Sequence, residues 1–236
     1  PEDVDAGADE SVCLNVADVQ LIGSPLGGDW GGSTLVSSSG LFEPSQSGDF
    51  DLIYSNGSGT CLRKDTMVMT VNPLPVVTVS SSSEICFGDS VVLIANGADS
   101  YSWSPAVGLS SITGSTVTAN PTSTTTYTLT GTNSITSCVN TAIVTVTVNA
   151  LPIVIIDSVA VSCVNTAVNF TNLTTNAIYY KWDFDDGFSS VAESPLHTYY
   201  NIGTYTATLG ATSWQGCVDS ISIQVRVAEP PIARFF

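Results

Sequence analysis

Residues 86–103 read CFGDSVVLIANGADSYSW, a cysteine followed by an apolar run and, 17 residues after the cysteine, by a tryptophan. The same order runs from Cys13 to Trp30 over 17 residues and from Cys163 to Trp182 over 19 residues. A second cysteine follows each tryptophan, at Cys61, Cys138 and Cys217. Because self-similarity at a fixed period marks a repeat architecture, the sequence predicts three copies of one unit.

Proline marks the joints between the units. Pro75 and Pro152 each precede the first cysteine of a unit by 11 residues, inside the similar segments VNPLPV and VNALPI. Proline fixes φ and disfavours helix in the residue before it, so these joints are short and stiff linkers. The predicted domains are residues 1–72, 73–150 and 151–229, with residues 230–236 opening a further repeat.

Apolar residues alternate with polar ones inside each unit. Ile221, Ile223, Val225 and Val227 share one face of a segment whose other face is polar, the pattern of a half-buried strand. A cysteine, tryptophan, cysteine order among short strands is typical of a β-sandwich. We therefore predict an all-β chain of three tandem Ig-like β-sandwich domains in an elongated rod, with core tryptophans Trp30, Trp103 and Trp182.

Six cysteines in a regular order indicate an oxidising compartment, and hence an extracellular protein. The sequence contains no apolar run long enough to span a bilayer. Because it opens on a linker proline and stops shortly after Pro231, we expect it to be a stretch of a longer protein.

Two disulfide patterns are open. The first pairs cysteines within each domain: Cys13 with Cys61, Cys86 with Cys138, and Cys163 with Cys217. In an immunoglobulin topology, however, Cys86 belongs to the turn between strands A and B, and Cys138 to the turn between strands F and G. Those turns lie at opposite ends of a strand that spans roughly 23 Å, whereas bonded Cα atoms lie within about 7 Å.

The second pattern joins neighbouring domains, and the strand-length argument favours it. The A–B turn faces the following domain and the F–G turn faces the preceding one. Cys13 then bonds Cys138, and Cys86 bonds Cys217. Cys61 and Cys163 are left to pair outside these residues.

The net charge of −16 makes nucleic acid an improbable partner, because phosphate binding requires basic patches. Acidity of this degree favours solubility and repulsion between neighbouring molecules. The single histidine, His197, cannot serve nucleophiles in three domains, so we expect no enzyme activity.

The strongest candidate for a metal site is the acidic group Asp183, Asp185 and Asp186. Strand alternation directs Trp182 and Phe184 inward, which leaves Asp183 and Asp185 side by side on the outer face. Carboxylates in that arrangement can share a calcium ion. The alternative is a hydrogen-bonded turn, and we expect no other cofactor.

The third unit resembles a PKD domain in three ordered motifs: YKWDFDDG at 180–187, PLHTY at 195–199 and GTYTATL at 203–209. Asp185 stands where that family usually has glycine. In the PKD family the histidine of the second motif, here His197, fixes a turn beside the core. The second unit, with ICFGDS at 85–90 and YSWSP at 101–105, resembles Ig-like repeats of Bacteroidota surface proteins, as does the first.

Mixed Ig-like and PKD arrays of this kind are similar to long type IX secreted proteins, including SprB-type gliding adhesins. The resemblance implies a cell-surface structural or adhesive segment, used in adhesion or gliding motility, with neighbouring repeats, surface polysaccharide or other cell-surface proteins as partners. The alternative function is an accessory spacer or carbohydrate-binding module of a secreted hydrolase, for which Tyr180, Tyr199 and Tyr200 are the candidate sugar-stacking residues.

Four segments match the Bacteroidota O-glycosylation pattern of aspartate, hydroxyl residue and apolar residue. The predicted glycan acceptors are Thr66, Ser90, Ser158 and Ser220. One further tryptophan, Trp214, lies just before Cys217. We expect it to pack at that end of its domain, with a contact at the surface as the alternative.

Overall fold

The computed structural model of the chain describes residues 3–158 and 161–230, with the side chain of Ser158 left out. The expected start of a further repeat, at residues 230–236, lies outside the described residues except for Pro230. Within the described part the regular structure is β-strand, apart from one 3₁₀ turn at Gly59–Cys61. Strands of different repeats share no sheet among these residues.

The first repeat has six strands. A four-stranded sheet has the order β1-β6-β5-β3, and β2 pairs with β4. Its core includes the large side chains of Trp30, Phe42, Leu52, Tyr54 and Met69. The strands are β1 Glu10–Cys13, β2 Val19–Gln20, β3 Asp29–Gly31, β4 Leu41–Phe42, β5 Gly48–Asn56 and β6 Arg63–Asn72.

The second repeat has seven strands in two sheets, ordered β10-β12-β13-β8 and β11-β9-β7. Trp103, Tyr127 and Leu129 are buried in it, together with Leu93 and Val117. The strands are β7 Thr78–Val79, β8 Ser83–Cys86, β9 Val91–Asn96, β10 Ser100–Ser104, β11 Thr116–Ala119, β12 Thr125–Thr132 and β13 Val139–Asn149.

The third repeat has eight strands, in a five-stranded sheet ordered β15-β21-β20-β17-β18 and a three-stranded sheet ordered β14-β16-β19. Phe170, Trp182, Phe184, Tyr199 and Leu209 form its core with smaller residues. The strands are β14 Ile156–Ser158, β15 Val161–Cys163, β16 Ala167–Asn172, β17 Tyr179–Asp183, β18 Ser189–Ser190, β19 Leu196–Thr198, β20 Gly203–Thr212 and β21 Val218–Ala228.

Period-two alternation explains why these segments are strands. In β12, Tyr127, Leu129 and Gly131 are buried while the threonines between them are half-buried. Successive side chains of a strand point to opposite faces, so such a segment buries one row against the other sheet and leaves the second row at the surface. Burial of these aromatic and aliphatic rows is the main favourable contribution to folding.

By backbone proximity the chain divides into two compact units. The first comprises Pro1–Ser81, Val92–Ala119 and Thr126–Thr145. The second comprises Ser82–Val91, Asn120–Thr125 and Val146–Phe236. Each unit therefore contains one linker between repeats: residues 73–77 in the first, and residues 150–155 in the second.

Candidate functional site: two interdomain disulfide junctions

The first cysteine of each repeat ends a short strand that runs parallel to the last strand of the same repeat. In register, Cys13 lies opposite Asn72, Cys86 opposite Asn149, and Cys163 opposite Ala228. Each first cysteine is thereby fixed beside the residue at which its repeat leads into the next linker.

The turn after each first cysteine has the same construction. The next residue donates its backbone N–H to the carbonyl at the end of the last strand, at 2.9 Å in every repeat: Leu14 to Asn72, Phe87 to Asn149, and Val164 to Ala228. The residue after that has a left-handed backbone, at Asn15 (φ 59°), Gly88 (φ 93°) and Asn165 (φ 61°). Asparagine and glycine tolerate this conformation best, which explains their choice here.

The second cysteine of the second and third repeats lies immediately before the last strand. This is the F–G turn, which joins β12 to β13 in the second repeat and β20 to β21 in the third. Asn133 donates its N–H to the carbonyl of Cys138 at 2.9 Å, and Ser213 donates to that of Cys217 at 2.8 Å. A left-handed residue, Ser137 or Gly216, precedes each cysteine. These tight turns hold the two cysteines in the same orientation relative to their strands.

A further contact closes the F–G turn of the second repeat. Asp99 accepts hydrogen bonds from the backbone N–H of Ser134 at 2.8 Å and from its hydroxyl at 3.0 Å. The backbone donor is the larger cause, and both hold the pKa of the Asp99 carboxyl below its ordinary value of 3.8. The charged carboxylate therefore stabilises the turn that carries Cys138.

The first junction joins the first and second repeats. A disulfide connects Cys13 to Cys138, with 5.5 Å between their Cα atoms. Asn140, two residues after Cys138, donates its side-chain amide to the carbonyl of Pro75 in the linker at 3.0 Å. Gly97 packs so closely on the carbonyl of Val76 that no Cβ could fit there.

The second junction joins the second and third repeats in the same way. A disulfide connects Cys86 to Cys217, again with 5.5 Å between Cα atoms. The Sγ atom of Cys217 lies 3.9 Å from the carbonyl oxygen of Asn149. Asn176 donates its side-chain amide to the linker carbonyls of Ala150 at 3.4 Å and Leu151 at 3.3 Å.

These bonds confirm the interdomain pairing of Cys13 with Cys138 and of Cys86 with Cys217, and they exclude the pattern within domains. Both F–G cysteines are fully buried. Cys61 and Cys163 carry free thiols, Cys61 exposed and Cys163 half-buried. Sequence reasoning missed the amide contacts of Asn140 and Asn176 with the linkers, because a lone asparagine gives no pattern to recognise.

The three repeat tryptophans lie in the cores, with exposed fractions of 7% for Trp30, 3% for Trp103 and 0% for Trp182. The indole N–H of Trp103 donates to the carbonyl of Gly114 at 3.0 Å, and that of Trp182 to Glu193 at 3.4 Å. Buried indoles need such acceptors. Trp214 is 79% exposed, so the expectation that it packs at the end of its domain is wrong, and the alternative, a position at the surface, is the one that forms.

The three aspartates do not lie on one strand face. β17 ends at Asp183, and Asp185 has a left-handed backbone with φ 64°, so the alternation stops before it. Asp183 accepts the N–H of Asp185 at 3.0 Å. Asp185 in turn accepts the N–H of Thr206 at 2.8 Å. The prediction that Asp183 and Asp185 lie side by side is therefore wrong, and the hydrogen-bonded turn is what forms.

His197 joins this turn to the core. Its Nε2 lies 2.8 Å from Asp186 Oδ2, and its ring stacks on Phe184 with centroids 4.0 Å apart and an interplanar angle of 3°. Tyr199 packs edge-on against it at 4.6 Å. The histidine thus fixes the turn beside the core, as expected from the resemblance of this repeat to PKD domains.

The chemistry available around the turn is limited. Burial, then the charge of Asp186, raises the pKa of the Tyr199 phenol above its ordinary value, so this group stays neutral. Across residues 3–158 and 161–230 no cluster of three or more His, Cys, Asp or Glu side chains is arranged to hold a metal ion. The calcium hypothesis for Asp183, Asp185 and Asp186 receives no support from this geometry.

The predicted glycan acceptors occupy different surroundings. Thr66 is exposed in β6, Ser90 is exposed in the turn before β9, and Ser220 is exposed in β21. Ser158 ends β14, and its side chain lies outside the described part. Of the candidate sugar-stacking tyrosines, Tyr199 is fully buried and Tyr180 packs against the core, whereas Tyr200 is exposed.

No helix in the described part of the chain has the length and apolar character needed to cross a membrane. None of the curated proteins matches the sequence.

Residues 149–227 match the model of the PKD domain family. Among solved structures, the PKD1 domain of Vibrio anguillarum Epp is 23% identical, with 35% of this chain and 99% of that one covered and a TM-score of 0.32. The PKD1 domain of the Vibrio cholerae metalloprotease PrtV is 25% identical over 33% of this chain and 96% of that one, with a TM-score of 0.30.

A longer likeness is to titin domains I67–I69, at 12% identity over 95% of this chain and 96% of that one, with a TM-score of 0.45. The fold class predicted from the sequence is confirmed: the chain is all-β and is built from tandem Ig-like β-sandwiches. The match to the PKD family covers the third repeat.

Proposed function

We propose that the chain is a structural and adhesive segment of a long extracellular surface filament, which holds a distal part of the protein away from the cell and transmits force. The observation that carries this proposal is the pair of disulfides that join successive repeats, Cys13 to Cys138 and Cys86 to Cys217. A bond between neighbouring domains makes the array covalently continuous, whereas a bond inside each domain would close only that domain on itself.

The order of the two bonds along the chain limits how far it can be stretched. From the N-terminus, the shortest covalent path reaches Cys13 and crosses to Cys138. It then returns along the chain to Cys86, crosses to Cys217 and continues to the C-terminus. At roughly 3.5 Å per extended residue, this path measures about 300 Å, against about 800 Å for the same chain without the bonds.

Single-molecule stretching from the two termini tests the proposal. We expect the oxidised chain, with all its domains unfolded, to stop at about 300 Å, because disulfides resist forces that unfold sandwiches. The matched control carries Cys13→Ser and Cys86→Ser and should extend to about 800 Å. An oxidised parent that extends as far as this control would contradict the proposed role in transmitting force.

The extracellular location is supported by the same bonds, since disulfides persist in oxidising compartments and are rare in the cytosol. The motifs of the second and third repeats support a Bacteroidota type IX secreted protein of the gliding-adhesin kind, located at the cell surface. Antibodies against the chain should label intact cells of the source organism, and shaving with an external protease should abolish the label. Label that appears only after permeabilisation would contradict this location.

We also propose that Thr66, Ser90, Ser158 and Ser220 carry O-glycans in the native host. Three of these hydroxyls are exposed, as a glycosyltransferase requires. The measurement is the intact mass of the protein purified from its own cells, and a mass equal to that of the bare chain would contradict the proposal.

The alternative function, carbohydrate binding as an accessory module of a secreted hydrolase, is favoured by one observation: Tyr179 and Trp214 are large exposed aromatic side chains in the third repeat. Sugars stack on exposed aromatic rings, so binding on a glycan array that a Trp214→Ala variant loses would favour this alternative. The structural proposal predicts no such loss, with surface polysaccharide contacted elsewhere in the filament.

A further inference from the structure

We propose that Cys163 and Cys61 are the two halves of further interdomain disulfides: Cys163 bonds the F–G cysteine of another sandwich of this build, and Cys61 bonds the A–B cysteine of another. The inference rests on the proposed function only in requiring an array of such domains.

Cys163 lies in the same backbone surroundings as Cys13 and Cys86. Cys163 has the parallel register, the following N–H bond at 2.9 Å and the left-handed residue two positions on that Cys13 and Cys86 have. Both of those cysteines bond an F–G cysteine. Because the backbone of the turn is the same, the Cys163 thiol is presented for the same reaction, and it is free.

Cys61 occupies the position in its repeat that Cys138 and Cys217 occupy in theirs. Cys61 comes just before the last strand of its repeat, as Cys138 and Cys217 do, and it is exposed where those two bonded cysteines are buried. Its turn differs, being a 3₁₀ turn over Gly59–Cys61. Exposure makes the Cys61 sulfur accessible to a partner that approaches from outside the repeat.

The bond forms by a balanced two-electron oxidation. The two thiols lose two protons and two electrons as an S–S bond forms between their Sγ atoms. A dithiol–disulfide oxidoreductase, or glutathione disulfide in vitro, takes up the electrons and is reduced to two thiols.

The test is a tandem fusion of two full copies of the chain, with residue 230 of the first copy joined to residue 1 of the second so that the proline spacing continues. The fusion is oxidised in a glutathione redox buffer, isolated as a monomer by gel filtration and mapped by non-reducing mass spectrometry. We expect Cys163 of the first copy to bond Cys61 of the second, and the titratable free thiol to fall by half.

Two control variants make the result specific. Cys163→Ser in the first copy alone should abolish the new link, although Cys163 of the second copy remains. Cys163→Ser with Ser162→Cys in the first copy moves the thiol to the opposite face of β15 and should abolish it too. A first-copy Cys163 that stays free, or that bonds any cysteine other than Cys61 of the second copy, would overturn the inference.

Absence of the bond between Cys163 and Cys61 can be distinguished from failure of the proposed function. A fusion that forms the Cys13–Cys138 and Cys86–Cys217 bonds in both copies but leaves Cys163 free would overturn this inference alone. The stretching experiment on the single chain would be unaffected by that result.

Discussion

One buried indole lies in the core of each sandwich. Trp182 is fully buried, packs against Phe170 at 5.3 Å between ring centroids, and satisfies its N–H on Glu193. Trp214 is the same side chain at the surface of the same repeat. The two residues therefore make a matched pair for measuring how much the burial of a tryptophan contributes to the free energy of unfolding.

Replacing Trp182 by alanine should lower the free energy of unfolding of the third repeat by about 3–5 kcal/mol, because it leaves a large cavity. The control Trp214→Ala should change it by no more than about 0.5 kcal/mol. Urea denaturation followed by fluorescence and circular dichroism measures both. Equal effects of the two substitutions would contradict the assignment of Trp182 to the core.

Calcium should leave the melting temperature of the chain unchanged relative to a chelator. Asp183, Asp185 and Asp186 already accept hydrogen bonds from the backbone and from His197, so a bound ion would have to compete with them. Thermal unfolding in calcium and in EDTA makes the comparison. A calcium-dependent rise that an Asp183→Asn variant loses would reinstate the metal site.

The sequence predicted that the three repeat tryptophans are buried. It did not predict the left-handed backbone of Asp185 or the exposure of Trp214. Spacing between cysteine and tryptophan repeats, so burial follows from the pattern. The alternation rule fails at Asp185 because the strand ends at Asp183 and the backbone of Asp185 is left-handed. Alternation gives no sign of such a residue, although the glycine that PKD domains usually have at this position does. Trp214 is exposed because it lies in a turn, where the alternation rule says nothing.

The interdomain disulfides depend on the two turns at opposite ends of each sandwich, because these turns carry the cysteines. The A–B turn is held by a strand-end carbonyl and a left-handed residue, and the F–G turn by its own backbone bonds, with Asp99 added in the second repeat. Strand-length reasoning placed the cysteines at these turns and so predicted the pairing. It could not predict Asp99, which contacts Ser134 from 35 positions away in the sequence.

Acid should weaken the second repeat partly through Asp99. Because the folded-state pKa of Asp99 is below 3.8, the stability that it contributes is fully present above the unfolded value. That contribution is lost as the pH falls through the lower folded value. An Asp99→Asn variant should therefore be less stable than the parent at about pH 6, and the difference should shrink below pH 3.8. Urea titrations across this range test it, and a difference that is constant with pH would contradict the assignment.

Over the whole molecule, the disulfides close long loops, with 125 and 131 residues between their cysteines. In the chain-entropy model each such bond stabilises the folded state by about 5 kcal/mol, because it removes freedom from the unfolded chain. Each bond also joins one repeat covalently to the next, so the stabilities of neighbouring repeats are coupled. The elongated rod expected from the linkers stays a prediction, which small-angle scattering tests; a compact particle would contradict it.

Covalent continuity between the repeats depends on which cysteines are bonded. Non-reducing peptide mapping of the oxidised, alkylated chain should recover Cys13 linked to Cys138 and Cys86 linked to Cys217, with alkylated Cys61 and Cys163. Peptides that link Cys13 to Cys61, or Cys86 to Cys138, would mean that each sandwich is closed on itself, and would contradict a chain whose repeats are covalently joined to one another.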